Sequence, residues 1–137
     1  MSRDSIISAV YLTKPVIYAQ QGTTNDAVAI NSVTFLRGPF QILDSHNFSI
    51  DGHTRIILFT SDLGLTQANL SDPSILVVDV PGANLPVENV GTLSGTVGLS
   101  GSYIVVSLPD NLPTGALQLR VRLRGITSDA RILNIGP

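Results

Sequence analysis

Asp44-Ser45-His46 and Asp51-Gly52-His53 repeat one pattern, an aspartate two residues ahead of a histidine. Imidazole and carboxylate together are ligands for zinc and related ions, which take about four such groups. If the intervening segment folded back, Asp44, His46, Asp51 and His53 could close around one ion. The spacing is loose, however, and no neighbouring residues stand ready to orient the imidazoles. A polar connection is the preferred reading, with the aspartates capping turns and the histidines facing water. No metal or other cofactor is therefore expected. Asp44, Asp51, Asp62 and Asp72 are too scattered for a calcium loop.

Arg120, Arg122 and Arg124 alternate with Val121 and Leu123, so they share one face of a strand. Three guanidinium groups about 7 Å apart could grip sulfate, phosphate or acidic sugars. The alternative is a solvated strand face whose charge is met by aspartate on the next strand and discourages strand addition. That second reading is preferred. Aromatic residues do not interleave with the arginines, so nucleic-acid binding is not expected.

Covalent catalysis finds little to work with. No Gly-x-Ser-x-Gly elbow occurs, and Gly98-Leu99-Ser100-Gly101 is a near miss. The two imidazoles sit in one segment, which disfavours a Ser-His-Asp triad. Phosphate-binding and dinucleotide-binding glycine motifs are missing, and the chain has no cysteine. The expectation is that this is not an enzyme.

The elements that would carry these side chains read as strands. Gln118 and the arginines alternate with Leu117, Leu119, Val121 and Leu123, the period of a strand with one buried and one wet face. Similar runs cover Ser5–Leu12, Val16–Gln20, Ala27–Leu36, Phe40–Leu43, Thr54–Thr60, Ile75–Val80, Leu85–Val90, Tyr103–Leu108 and Ala130–Ile135. Turn residues separate them. Ser61–Ser74 and the glycine-rich Gly91–Ser102 read as irregular, the latter as a surface loop. The seven aromatic residues mostly stand beside aliphatics in strands and are expected in the core.

At 137 residues the chain fits one domain. Charged residues make up only 13 % and the net charge is -2, which gives no pull towards nucleic acid or an anionic membrane. Lys14 and Glu88 are the single lysine and glutamate, a scarcity that argues against extensive helix. With so few charges, the chain either hides its apolar surface well or shares it with a neighbour. Ile6–Leu12 reads as a strand rather than a secretion signal cleaved after Ala19, and no run reaches membrane-spanning length.

Thr54–Gly64 resembles the strand and turn, apolar run then small polar residues and glycine, of bacterial IPT/TIG-like immunoglobulin modules. The tail resembles them further: Leu108-Pro109, Leu112-Pro113-Thr114-Gly115, an alternating strand, Gly125-Ile126-Thr127-Ser128 and a last strand follow the order of the Solibacter-type C-terminal surface domain. Pro15–Gln20 followed by Ala27–Asn31 is similar to that family's first strands. The likeness runs from about Pro15 to Ile135. It implies an immunoglobulin-like module of exported bacterial proteins, with no catalytic residues to carry over.

These readings combine into an all-β, immunoglobulin-like (E-set, IPT/TIG-type) β-sandwich over residues 15–137, with an extra strand or arm over residues 1–14. The expected role is structural or adhesive, at the surface of a bacterium, without membrane insertion. Self-association into an oligomer or polymer is expected, with Ile6, Ile7, Val10 and Leu12 offered to a neighbour's sheet edge. A carbohydrate-binding module contacting surface glycan, and a virion decoration or tail protein, are the alternatives.

Overall fold

A computed structural model describes residues 15–20, 22, 25–43, 52–61, 63, 76–94, 100–123 and 125–136. Among these residues there is no helix. The strands are β1 (Ala29–Asn31), β2 (Arg55–Thr60), β3 (Leu76–Val80), β4 (Ala83–Leu85), β5 (Val87–Ser94), β6 (Ser100–Ser107), β7 (Gly115–Leu123), β8 (Ile126–Thr127) and β9 (Arg131–Ile135). One antiparallel sheet has four strands in the order β1-β2-β6-β5. The other has five, ordered β4-β3-β7-β8 with β9 also on β7.

Alternation builds the core. Ile56, Leu58 and Thr60 of β2, Ile104 and Val106 of β6, and Leu119, Val121 and Leu123 of β7 are all buried. They pack with Leu76, Val78 and Val80 of β3 and Leu133 and Ile135 of β9 in one cluster. Arg122 and Gln118 are exposed, and Arg120 is half-buried, as the period of two requires. Leu117, at the end of β7, is only partly buried against the cluster.

β8 and β9 both ladder with β7, and their registers differ by one residue. Ser128 sits in the break. Its N–H donates to the Val121 carbonyl at 2.8 Å, and its Oγ accepts from the Val121 N–H at 2.9 Å. A side chain thus satisfies a buried main-chain donor where the ladder is interrupted.

Several expectations require correction. Gly91–Ser102 is not one surface loop: β5 and β6 pair from Val87↔Val106 to Ser94↔Ser100, and only residues 95–99 lie outside the described set. The Tyr103 ring stands over its register partner Gly91 and supplies the cover that glycine lacks. Ala27–Leu36 is not one strand, because β1 ends at Asn31. Leu85–Val90 is split at Pro86, which lies between β4 and β5. Val16–Gln20 and Phe40–Leu43 make isolated bridges rather than strands. Ile126-Thr127, which no expected strand covered, is β8. The expected strand Ser5–Leu12 lies outside the described residues.

Among the described residues, Phe40 is the one aromatic that joins the core cluster; Tyr11 and Phe48 lie outside them. Phe59 and Tyr103 are register partners on the outward face of the four-stranded sheet, half-buried beside Ile57 and Val105. Tyr18 is likewise half-buried, and Phe35 is exposed. The expectation of core aromatics therefore fails for these four: Phe59 and Tyr103 take the odd, outward positions of β2 and β6, and Tyr18 and Phe35 lie outside the strands.

Candidate functional site

The most unusual surface lies at the end of the sandwich where β1 and β6 finish, β2 and β7 begin, and β9 ends. It is built on Asn31, whose side-chain oxygen accepts from the Val33 N–H at 2.8 Å and the Thr34 N–H at 3.1 Å. Those bonds compete with strand continuation and turn the chain. The Phe35 N–H donates to the Asn31 carbonyl and the Asn31 N–H to the Leu36 carbonyl, each at 2.8 Å. Thr34 Oγ1 accepts from the Leu36 N–H at 3.3 Å. The Ser32 N–H donates to the Arg55 carbonyl at 2.9 Å, tying the turn to β2.

Phe35 closes the turn at φ 59°, the left-handed region that bulky residues avoid. Its ring stays in water at 65 % exposure, beside Leu36 at 67 % and Val33 at 43 %. Leu43, 58 % exposed, stands on the same end. The return segment is anchored. Phe40 is buried, its N–H donates to the Asn134 carbonyl, and its own carbonyl accepts from the Gly136 N–H. The Thr54 N–H and hydroxyl hold the carbonyls of Ile42 and Gln41. Apolar side chains are thus held outward on bonded backbone, not left on a slack loop.

Two recesses flank the anchored segment. One, of about 220 Å³, is walled by Thr34, Leu36, Arg37, Pro39 and Phe40. The other, of about 420 Å³, is walled by Ile42, Leu43, Asp110, Thr114 and Gly136. Gln41 lines both.

Set against models of known protein families, curated proteins and solved structures, the chain matches none of them. Function has to be read from the residues.

His53 is at this same end, half-buried, with Nε2 2.8 Å from Asp110 Oδ1. Asp110 is a partner that the sequence did not single out. His46, Asp44 and Asp51 lie outside the described residues, so the proposed quartet is not described as a group. No group of three or more metal-ligating side chains occurs among the described residues. Arg120 stands directly opposite Asp79 across the β3–β7 ladder, and Arg122 opposite Val77 and Thr127. Arg124 lies outside the described residues, as do Ile6, Ile7, Val10 and Leu12. Arg120 and Arg122 are therefore on the wet face of the five-stranded sheet, with a carboxylate at the register position of the first.

Phe35, Leu36, Val33 and Leu43 were not picked out from the sequence. The signal that could have found them is Asn31 with Ser32 and Thr34 behind it, three short polar side chains that favour turns. The Arg37-Gly38-Pro39 break begins three residues after Thr34.

Proposed function

We propose that this chain is a non-catalytic, immunoglobulin-like structural or adhesive module, acting at a bacterial surface by associating with copies of itself. The observation that carries the reading is the outward display of Val33, Phe35, Leu36 and Leu43 at one end of the sandwich. Exposed apolar groups that are clustered and fixed mark contact surfaces rather than ordinary solvent-facing positions. The sparse charge of the chain agrees with it.

Strand order supports the immunoglobulin-like part. Lettered in chain order, with β8 and β9 taken as one interrupted strand, the two sheets read A-B-E-D and C′-C-F-G. That is the constant-type arrangement with one strand added beside C. The order, with the likeness of Leu108–Ile135 to the Solibacter-type surface domain, favours the IPT/TIG-type reading.

The N-terminal run Ser5–Leu12 is the second contact in this reading. Among the described residues, the first half of β7 pairs only with β9, because β3 reaches no further than Asp79↔Arg120. Gly115–Gln118 is an edge that a neighbour's strand would complete through main-chain hydrogen bonds. Light scattering of the full chain over a wide concentration range tests the reading. A mass that rises with concentration is expected. A mass fixed at one chain throughout would refute it.

The carbohydrate-binding alternative has one observation in its favour, the adjacent Phe59 and Tyr103 rings on the outward sheet face. Both are half-buried, so they present less ring face than a sugar platform uses. Binding on a glycan array that is lost in Tyr103→Ala would move the assignment there.

A further inference from the structure

Phe35 poses a problem that the isolated chain does not solve. A phenylalanine in the left-handed region is strained, and its ring is two-thirds exposed. Asparagine or glycine would fit that backbone better. Yet the surrounding bonds from Asn31 and Thr34 hold the turn in this form. A strained residue fixed in place with its apolar group in water belongs to a contact that the single chain lacks.

The same surface carries features that fit such a contact. Arg37 borders the recess on the Phe35 side of Gln41, and Asp110, 82 % exposed at its side chain, borders the recess on the Leu43 side. The larger recess is open and has Ile42 and Leu43 in its wall. An apolar tip and a cation therefore lie to one side of Gln41, and a recess and an anion that also meets His53 lie to the other. A twofold rotation can set unlike halves of one patch against each other. Like surfaces that complement themselves in this way form closed pairs.

We propose that this end of the sandwich is a self-complementary surface on which two copies of the chain associate. Phe35 and Leu36 of each enter the Ile42–Leu43 recess of the other, and Arg37 of each faces Asp110 of the other. This rests on the self-associating reading above and names the surface responsible. The pairing leaves the opposite end, where the chain passes Val16 and Ile17 along β2, outside the contact. The strand exchange through Ser5–Leu12 uses other residues, the Gly115–Gln118 edge of β7, which adjoins this end without belonging to the paired residues.

Sedimentation velocity of the full chain, with circular dichroism to check folding, tests the proposal. The wild type is expected to dimerise. Phe35→Asn, which suits the left-handed backbone, is expected to stay folded and to weaken dimerisation by roughly thirtyfold or more, as an anchor residue does. Arg37→Asp and Asp110→Arg are each expected to weaken it, and the double reversal to restore it, because the swapped charges face each other again. Ile7→Asp with Val10→Asp is expected to leave the pair intact. If the wild type associates and the Phe35 and charge variants associate equally well, this surface is refuted while self-association stands. A wild type that is monomeric at every concentration overturns both.

Discussion

Gly101 offers a measurable test of how the first described segment is seated on the sheet. It lies in β6 with φ +125°, and a Cβ built there would stand 2.1 Å from the Thr60 carbonyl oxygen and 2.9 Å from the Tyr18 hydroxyl. Thr60 is at the end of β2, bridged to Ile17. Gly101→Ala must therefore adopt a disfavoured backbone and also push β2 away by more than 1 Å. The backbone term costs about 1–3 kcal/mol, and forcing extra volume into a packed site about 1–3 kcal/mol more. Gly115→Ala separates the two. Gly115 has φ +110° with nothing within 4 Å of the added carbon, so it bears the backbone term alone. The assay is urea unfolding of both variants beside the wild type. With a slope of about 1.5 kcal/mol per molar, Gly101→Ala is expected to lower the midpoint by roughly 1.3–4 M and Gly115→Ala by about half that. Equal losses would mean that Thr60 and Tyr18 do not crowd Gly101. The close seating of residues 16–18 on β2 would then be wrong.

Ser128→Ala removes the acceptor of the buried Val121 N–H and is expected to cost about 1–3 kcal/mol in the same assay. Phe40→Ala is expected to cost about 3–5 kcal/mol; because Phe40 anchors the segment that carries the recesses, light scattering should also show weaker association. Glu88→Gln removes the charge from a two-pronged contact, in which Arg55 Nε and Nη2 each donate at 2.9 Å to one oxygen of a partly exposed carboxylate, and the expected loss is about 1 kcal/mol or less. A larger loss in urea would place Glu88 in a tighter network than one surface pair.

The alternating strands were readable because burial of every second side chain leaves a period that survives without knowledge of the partner strand. β2, β7 and β9 are of that kind. β5 and the start of β6 were not, because Gly91, Thr92 and Gly101 look like loop residues until Tyr103 and Thr60 are set beside them. The turn after β1 was hidden for another reason. Val28–Leu36 is rich in β-formers, and what ends the strand is the Asn31 side chain taking two main-chain donors. The contact end was less legible still. Exposure of Phe35 depends on its positive φ, and the neighbourhood of Leu43 and Asp110 depends on chain crossings far apart in sequence. His53 and Asp110 are separated by 57 residues.

Where the sheet edges are guarded also bears on how copies would meet. β5 is the longest edge of the four-stranded sheet, with β6 as its partner among the described residues. It carries two devices that discourage a further strand. Glu88 is an extra residue that breaks the register between Val87 and Asn89 and is held by Arg55. The Asn89 side-chain oxygen accepts from the Val90 N–H at 2.9 Å, so that donor has an acceptor within its own strand. Bulges and locally satisfied donors of this kind keep edges from adding strands at random. The end bearing Phe35 has the opposite character, since its hydrogen bonds hold apolar groups out rather than hide them. On the proposed self-associating reading, pairing along β5 is suppressed while the Phe35 end makes the contact, which is the distribution a subunit needs if its contacts are to be few and directed. Deleting Glu88 tests the distinction: it restores a regular register along β5, and turbidity on warming is expected to rise above that of Glu88→Gln, which loses the charge but keeps the bulge. Equal turbidity in the two variants would show that the bulge does not guard the edge.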